Sequence, residues 1–170
     1  MSISKTFTPK DIENKLNTGK YDAVALVHNE TSTGVMSNIE EIGNILKKFS
    51  DIHLLVDAVS SMAGIKIEID KCGIDFILAS TQKAWGLPAG FSIGIVSDKV
   101  INRSKDIDNK GYLFDVLTYE KYYPKKQTPY TPSIPHLFGL KKILEMIFKE
   151  GLDNRWERHK EMANFTRDWA

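Results

Sequence analysis

The chain has 170 residues and almost balanced charge, with 23 Lys and Arg against 22 Asp and Glu. This balance gives no net field for nucleic acid or an anionic membrane, so neither is expected as a partner. A hydrophobic fraction of 42% favours one folded domain with a substantial core and argues against a disordered chain.

The chain begins with a polar stretch, residues 1–15, which lacks the apolar segment of a signal peptide. No apolar run is long enough to span a bilayer, so we expect a cytoplasmic protein. Thr8 and Pro9 predict a helix start, with Thr8 as the N-cap. Residues 23–27 predict a short apolar strand, and the polar, hydroxyl-rich turn 28–34 follows at its carboxyl end.

A second strand, residues 54–57, is predicted to end on a carboxylate, Asp57. Apolar residues recur at helical spacing between Ile39 and Phe49, just before this strand. Strand, helix and strand with short loops predict a parallel βαβ unit. Residues 65–69 alternate apolar and polar side chains, which predicts a half-exposed extended segment.

The next strand, residues 74–79, is predicted to open into Ser80-Thr81-Gln82-Lys83. A further strand at residues 91–96 lies too close in sequence for a crossover helix, so we expect it to be antiparallel. The single cysteine, Cys72, excludes a disulfide framework, and no Cys/His cluster has the spacing of zinc ligands.

The segment from 106 to 135 is rich in aromatic residues and proline, which predicts an irregular arm packed against another surface. Residues 134–151 predict a long helix that ends at a glycine. Residues 152–170 are also helical in pattern but show no stop signal, so we expect the natural protein to continue beyond them.

Asp57 and Lys83 form the pair that pyridoxal-phosphate enzymes need. A lysine amine can form a Schiff base with the cofactor aldehyde, and an aspartate can keep the pyridine nitrogen protonated so that the ring acts as an electron sink. Ligands bind at the carboxyl edge of open α/β sheets, where both residues are predicted to lie. The hydroxyl-rich turn at residues 31–34 could orient the ring.

Four segments carry a resemblance to a known family: HNETSTGV (28–35), LLVDAVSS (54–61), GIDFILASTQKAWGLPAG (73–90) and TPYTPSIP (128–135). They resemble class V aminotransferases of fold type I, nearest to the alanine–glyoxylate, serine–glyoxylate and serine–pyruvate group. The resemblance implies an α/β fold with a mostly parallel sheet flanked by helices. It also implies amino-group transfer from a small amino acid to glyoxylate or pyruvate, with pyridoxal 5'-phosphate as the cofactor.

The family's site residues transfer onto matching positions of this sequence. The lysine of the S-x-Q-K segment, which carries the cofactor, corresponds to Lys83, and the aspartate that pairs with the pyridinium nitrogen corresponds to Asp57. The resemblance implies that Thr31 contacts the cofactor, Val59 lies against the ring face and Gln82 contacts the phosphate.

The T-P-x-T segment implies two further contacts, Thr128 and Thr131, with the phosphate of a neighbouring subunit's cofactor. Such a site lies across a homodimer interface, which would also account for the aromatic arm.

Two parts of the family pattern are absent from this sequence. Relatives have an earlier phosphate loop with a ring-stacking aromatic residue, and a later small domain whose arginine grips the substrate carboxylate. We therefore expect residues 1–151 to be a partial cofactor-binding large domain and residues 152–170 to begin the helix that leads to a small domain. The chain alone is expected to be inactive or nearly so.

Three other functional classes are alternatives to an aminotransferase. Cysteine desulfurases and kynureninases share the fold, but desulfurases resemble D-x-x-Q at the strand end and place a histidine before the lysine, where this chain has Ser60 and Gln82. A non-catalytic truncated domain could serve only in dimerisation or partner binding. A nucleotide-binding domain lacks support, because neither glycine-rich phosphate motif is present.

Overall fold

In the computed structural model, the described part of the chain is residues 7–170, so the start of the predicted polar N-terminal stretch, residues 1–6, lies outside it. The elements in chain order are α1 (Pro9–Leu16), β1 (Ala23–Val27), α2 (Ile39–Leu46), β2 (His53–Asp57), α3 (Ile69–Cys72), β3 (Phe76–Ser80), β4 (Ser92–Val96), α4 (Asp98–Lys105), α5 (Val116–Tyr122), a 3₁₀ turn (Tyr123–Lys125), α6 (Ile134–Glu150) and α7 (Leu152–Trp169).

The four described strands form one sheet in the order β1-β2-β3-β4. The first three strands are parallel and β4 is antiparallel to β3, as the short connection between them predicted. Asp57 on β2 is level with Val27 on β1 and with Leu78 on β3. The carboxyl ends of the three parallel strands therefore meet at one edge of the sheet. The predicted α/β class, with a mostly parallel sheet and flanking helices, is confirmed.

One face of this sheet carries the core. Alternate strand residues Leu54, Val56, Ile77 and Ala79 are at most 1% exposed. They belong to one apolar cluster with residues of α1, α2 and α3, namely Leu16, Ile39, Ile42, Leu46 and Cys72. This packing of three helices on one side of the sheet is the main source of apolar burial in the described chain.

The opposite face of the sheet is less covered. Val27 is 42% exposed, and Leu55, Asp57 and Leu78 are half-buried. Because side chains alternate along a strand and paired residues share a face, Asp57, Leu78 and Ser80 lie on this less covered side. Asp57 is thus a strand-end residue that points away from the apolar core.

Local signals explain where several elements begin and end. The Thr8 hydroxyl accepts the Asp11 backbone N–H at 3.2 Å, and the Asp11 carboxylate accepts the Thr8 N–H at 3.0 Å. This reciprocal capping box confirms the predicted start of α1. Gly73, with φ +65°, ends α3 in the left-handed region that favours glycine.

Three predictions at the element scale need correction. The arm at 106–135 is not irregular throughout, because α5 occupies Val116–Tyr122 after an Asp115 cap whose Oδ1 accepts the Leu117 N–H at 3.1 Å. The segment 65–69 makes only an isolated bridge to Met62 and then enters α3 at Ile69. The strand predicted at 74–79 runs two positions later at its start, over Phe76–Ser80.

Candidate active site

The site edge is built from the turns that follow β1, β2 and β3. The His28 backbone N–H donates to the Asp57 carbonyl at 2.8 Å, and the Ala58 N–H donates to the Leu78 carbonyl at 2.9 Å. The parallel ladder therefore extends one residue past the ends of β1 and β2, and it reaches Leu78 on β3. Each turn leaves the sheet from a fixed backbone position.

Asp57 shapes the turn that follows it. Its Oδ1 accepts the Val59 backbone N–H at 2.9 Å, an Asx turn that sets the direction of the chain beyond the strand. Within residues 7–170, Oδ2 makes no hydrogen bond and the carboxylate makes no ion pair. As far as the described residues are concerned, Oδ2 is available to a partner that presents an N–H group.

The turn that carries Lys83 is anchored by a buried threonine. Thr81 is fully buried, and its hydroxyl proton is shared between the Pro88 carbonyl at 2.8 Å and the Phe91 carbonyl at 3.0 Å. The Leu87 N–H donates back to the Thr81 carbonyl at 2.9 Å, which closes the loop. The anchored loop leaves the side chains of Gln82 and Lys83 exposed.

Lys83 has no competing partner in the described chain. Its Nζ makes no hydrogen bond and no ion pair with any residue from 7 to 170, Asp57 included. Asp57 ends β2 and Lys83 lies in the turn after the adjacent strand β3, so both are at the same sheet edge without bonding each other. An amine and a carboxylate at one edge are the two groups that a pyridoxal-phosphate ring requires.

Two hydrogen bonds join the turn after β1 to the turn after β2. The hydroxyls of Thr31 and Ser60 lie 2.5 Å apart, and His28 Nδ1 lies 2.8 Å from the Ser61 hydroxyl. His28 and Ser61 are buried, whereas Thr31 is exposed. Burial lowers the pKa of His28, so its imidazole is neutral at neutral pH.

Sequence reasoning assigned Thr31 to the site but missed the hydroxyls that hold it. It used Ser60 only to distinguish this chain from desulfurases, and it noted Ser61 only as part of a motif. Their position was the available signal, because both lie in the turn that follows Asp57 at the carboxyl end of β2.

Thr128 and Thr131 lie apart from this group. Both are exposed, in the connection between the 3₁₀ turn and α6. Thr128 lines an open cleft of about 840 Å³ with Tyr123, Pro132 and neighbouring residues. No hydrogen bond in the described chain joins either threonine to the other five predicted site residues, so their predicted role rests on a second subunit.

The side chains at this edge are of the kinds that pyridoxal phosphate needs. Lys83 would offer an amine to the aldehyde, Asp57 Oδ2 a partner to the ring nitrogen, the half-buried Val59 an apolar contact and the Thr31 hydroxyl a polar contact. Across residues 7–170, no group of three or more metal-ligating side chains is present. In the same range, no helix has the length and hydropathy needed to cross a bilayer.

Comparison with known proteins places this geometry in context. The chain is 42% identical over 153 residues to an uncharacterised aminotransferase of Methanocaldococcus jannaschii, covering 87% of this chain and 40% of that protein. It is 40% identical over 148 residues to the serine–glyoxylate aminotransferase of Arabidopsis thaliana, covering 85% of this chain and 37% of that protein.

A solved structure shows the same architecture. The alanine–glyoxylate aminotransferase of Nostoc sp. superposes with a TM-score of 0.89 at 30% identity, over 95% of this chain and 44% of that one. The chain thus spans less than half the length of each of these relatives. A profile of aminotransferase class-V matches residues 2–168. Because that match spans nearly the whole sequence, the chain belongs to the class-V aminotransferase family.

Proposed function

We propose that this chain is the central part of a pyridoxal-phosphate-dependent aminotransferase. The reaction would move an amino group from a small amino acid, such as serine or alanine, to glyoxylate or pyruvate. The observation that carries the proposal is that the adjacent parallel strands β2 and β3 end at one sheet edge, with Asp57 as the last residue of β2 and Lys83 in the turn after β3. Among residues 7–170, neither side chain is neutralised by an ion pair.

Each predicted residue has a physical task in this proposal. The Lys83 amine would bind the cofactor aldehyde, and the Asp57 oxygen not used by Val59 would hold a proton on the ring nitrogen. Val59 would contact the ring face, Thr31 would contact a ring substituent and Gln82 would contact the phosphate. When bound, the cofactor supplies an electron sink for carbanion chemistry at the amino acid.

The chain's own residues would supply proton transfer and orientation. Lys83 is exposed within an anchored loop, so its amine would be able to carry a proton to and from a bound substrate. The hydrogen bond from the Val59 N–H to Asp57 Oδ1 fixes the orientation of the carboxylate before any ligand binds. Pre-positioned charge of this kind needs no reorganisation during the reaction.

The substrates are inferred from relatives. The Arabidopsis protein is named for serine and glyoxylate and the Nostoc protein for alanine and glyoxylate. Residues 1–151 would be part of the cofactor-binding large domain, and α7 would lead toward a small domain. The chain alone would then be inactive or nearly so, and the full enzyme would act in the cytoplasm.

A homodimer would complete the site. Tyr112, Phe114 and Tyr123 on the aromatic arm are 81%, 83% and 84% exposed. Large exposed aromatic groups are enriched at subunit interfaces. A second subunit packed there would bring its Thr128 and Thr131 toward the phosphate, as the resemblance implies.

Visible absorption tests the proposal directly. Pyridoxal phosphate added to the chain should give a visible band that is lost in Lys83→Ala. The band should persist in Lys105→Ala, since the Lys105 amine lies on α4, where it donates to Asn102. A wild-type chain without a Lys83-dependent band contradicts cofactor binding by this chain. Turnover of serine with glyoxylate by the isolated chain would contradict its predicted inactivity.

A further inference from the structure

Arg155 on α7 reaches both of the turns that carry the main site residues. Its Nε donates to the Ala63 carbonyl at 2.8 Å, and its Nη2 donates to the Ala84 carbonyl at 2.7 Å. Its side chain is only 12% exposed. One guanidinium group therefore bridges two backbone oxygens from distant parts of the sequence.

Both oxygens lie close in sequence to the site. Ala84 directly follows Lys83. Ala63 ends the turn that begins at Asp57, and its φ of +73° is in the left-handed region that a non-glycine residue rarely adopts. A charged hydrogen bond to the Ala63 carbonyl helps to hold this unfavourable backbone conformation.

The two turns pack directly against each other beneath α7. A Cβ placed on Gly64 would lie 3.0 Å from the Ala84 Cβ and 3.4 Å from His159 Cδ2 on α7. His159 Nδ1 donates to the Arg155 carbonyl at 2.8 Å. Contact between the turns is thus close enough that a displacement of one would be felt by the other.

The guanidinium group is itself held in place. Glu150, at the end of α6, accepts Arg155 Nη1 at 3.2 Å and also binds Arg158 through two bonds, at 2.6 and 3.1 Å. The planar fork of arginine suits such a set of fixed acceptors, whereas a lysine offers one flexible ammonium group. Arg155 therefore transmits the position of the α6–α7 corner to both turns.

We propose that Arg155 is a positioning residue that fixes the Lys83 turn relative to the Asp57 turn. Its relevance to catalysis rests on the proposed aminotransferase function. The hydrogen bonds from Arg155 to the Ala63 and Ala84 carbonyls do not depend on that function. Arg155 touches neither Asp57 nor Lys83 and acts through the backbone at Ala63 and Ala84.

The test compares Arg155→Ala with Arg158→Ala. Arg158 lies on the same helix and shares the Glu150 partner, but it bonds neither turn. Amide hydrogen exchange is measured at Gly86 and Leu87, whose N–H groups close the Lys83 turn onto Lys83 and Thr81. In parallel, the rate at which pyridoxal phosphate modifies Lys83 is measured against the rate at Lys105, across pH.

Loss of charged hydrogen bonds should speed exchange at Gly86 and Leu87 on the order of tenfold in Arg155→Ala. Arg158→Ala should leave it within about twofold, as expected for an exposed ion pair. The ratio of Lys83 to Lys105 modification, and its pH profile, should change only in Arg155→Ala. Arg155→Lys keeps the charge but offers a single donor group, so its exchange rates at Gly86 and Leu87 should fall between those of wild type and Arg155→Ala. This variant replaces Arg155→Ala in the test if the alanine variant does not fold.

Equal effects of the two alanine variants would overturn the inference, as would faster exchange spread evenly over the chain. Faster exchange at Gly86 and Leu87 in Arg155→Ala, together with a wild-type chain that gives no Lys83-dependent cofactor band, would support the role of Arg155 and count against the proposed function. The two proposals can therefore fail separately.

Discussion

His28 is the most buried ionisable residue of the candidate site, with 5% of its surface exposed. Burial lowers its pKa below the ordinary value of 6.5. Below pH 6.5 the unfolded chain then binds more protons at this residue than the folded chain does. The stability that the neutral imidazole provides is present above that pH and is lost as the pH falls toward the folded-state pKa.

Replacing His28 with Asn should therefore flatten the pH dependence of stability. Urea unfolding between pH 7.5 and pH 5 should show a smaller fall in the free energy of unfolding than in wild type, because Asn does not titrate. At pH 7.5 the variant should be less stable by about 1 kcal/mol or more, since the buried Ser61 contact is disturbed. Parallel pH curves for the two proteins would contradict a neutral, buried His28.

Asp57→Asn separates the charge of this residue from its role in the fold. An amide oxygen can still accept the Val59 N–H, so the midpoint of thermal unfolding should change little. The negative charge near the ring nitrogen is lost, so the affinity for pyridoxal phosphate should fall by roughly tenfold or more. Spectroscopic titration measures this affinity, and unchanged binding would remove Asp57 from the site.

The sequence predicted that Asp57 ends one buried strand and that Lys83 follows the next, and both features are present because parallel strands bring their carboxyl ends to one edge. The cofactor contacts of Thr31, Val59 and Gln82 stay predictions. Sequence patterns did not reveal Arg155. Its partners are backbone carbonyls 92 and 71 positions away, and such contacts leave no mark in local sequence.

At the scale of elements, α2 and α3 approach each other through a glycine. A Cβ on Gly43 would lie 2.1 Å from the Cys72 carbonyl oxygen, and this obstacle is backbone that cannot rotate away. Alanine in a helix gains about 1 kcal/mol over glycine, but this gain is smaller than the cost of forcing two helices apart. The steric clash should therefore make Gly43→Ala less stable than wild type.

Gly43→Ala should lower the free energy of unfolding by about 2 kcal/mol or more, measured by urea denaturation. Asn44→Ala on the exposed side of the same helix is the control, and it should change stability by about 0.5 kcal/mol at most. A more stable Gly43→Ala variant would show that α2 and α3 do not pack as closely as described.

Elements with strong periodicity or clear caps were predicted well, and those with neither were not. Alternating or continuous apolar runs predicted β1 and β2, and the Thr8 and Gly151 signals marked the start of α1 and the end of α6. The seven-residue α5 was missed because its aromatic residues and the surrounding prolines masked a short helix that depends on the Asp115 cap. Short helices of this kind are stabilised by caps and tertiary contacts more than by propensity.

At the scale of the whole molecule, the sheet gathers the candidate site at one edge and leaves one face half open. The parallel register between β1, β2 and β3 converts three separate sequence motifs into one rim. The spacing of strands and turns along the sequence is sufficient to produce this arrangement. The chain spans 40% of the length of the Methanocaldococcus relative.

A crystal structure of the chain with pyridoxal phosphate is the most direct test of the central claim, that one sheet edge brings Asp57 and Lys83 to a single cofactor ring. We expect density that is continuous from Lys83 Nζ into the ring, with the Asp57 carboxylate about 3 Å from the ring nitrogen. A ring bound elsewhere, or Asp57 and Lys83 on opposite faces of the sheet, would contradict it.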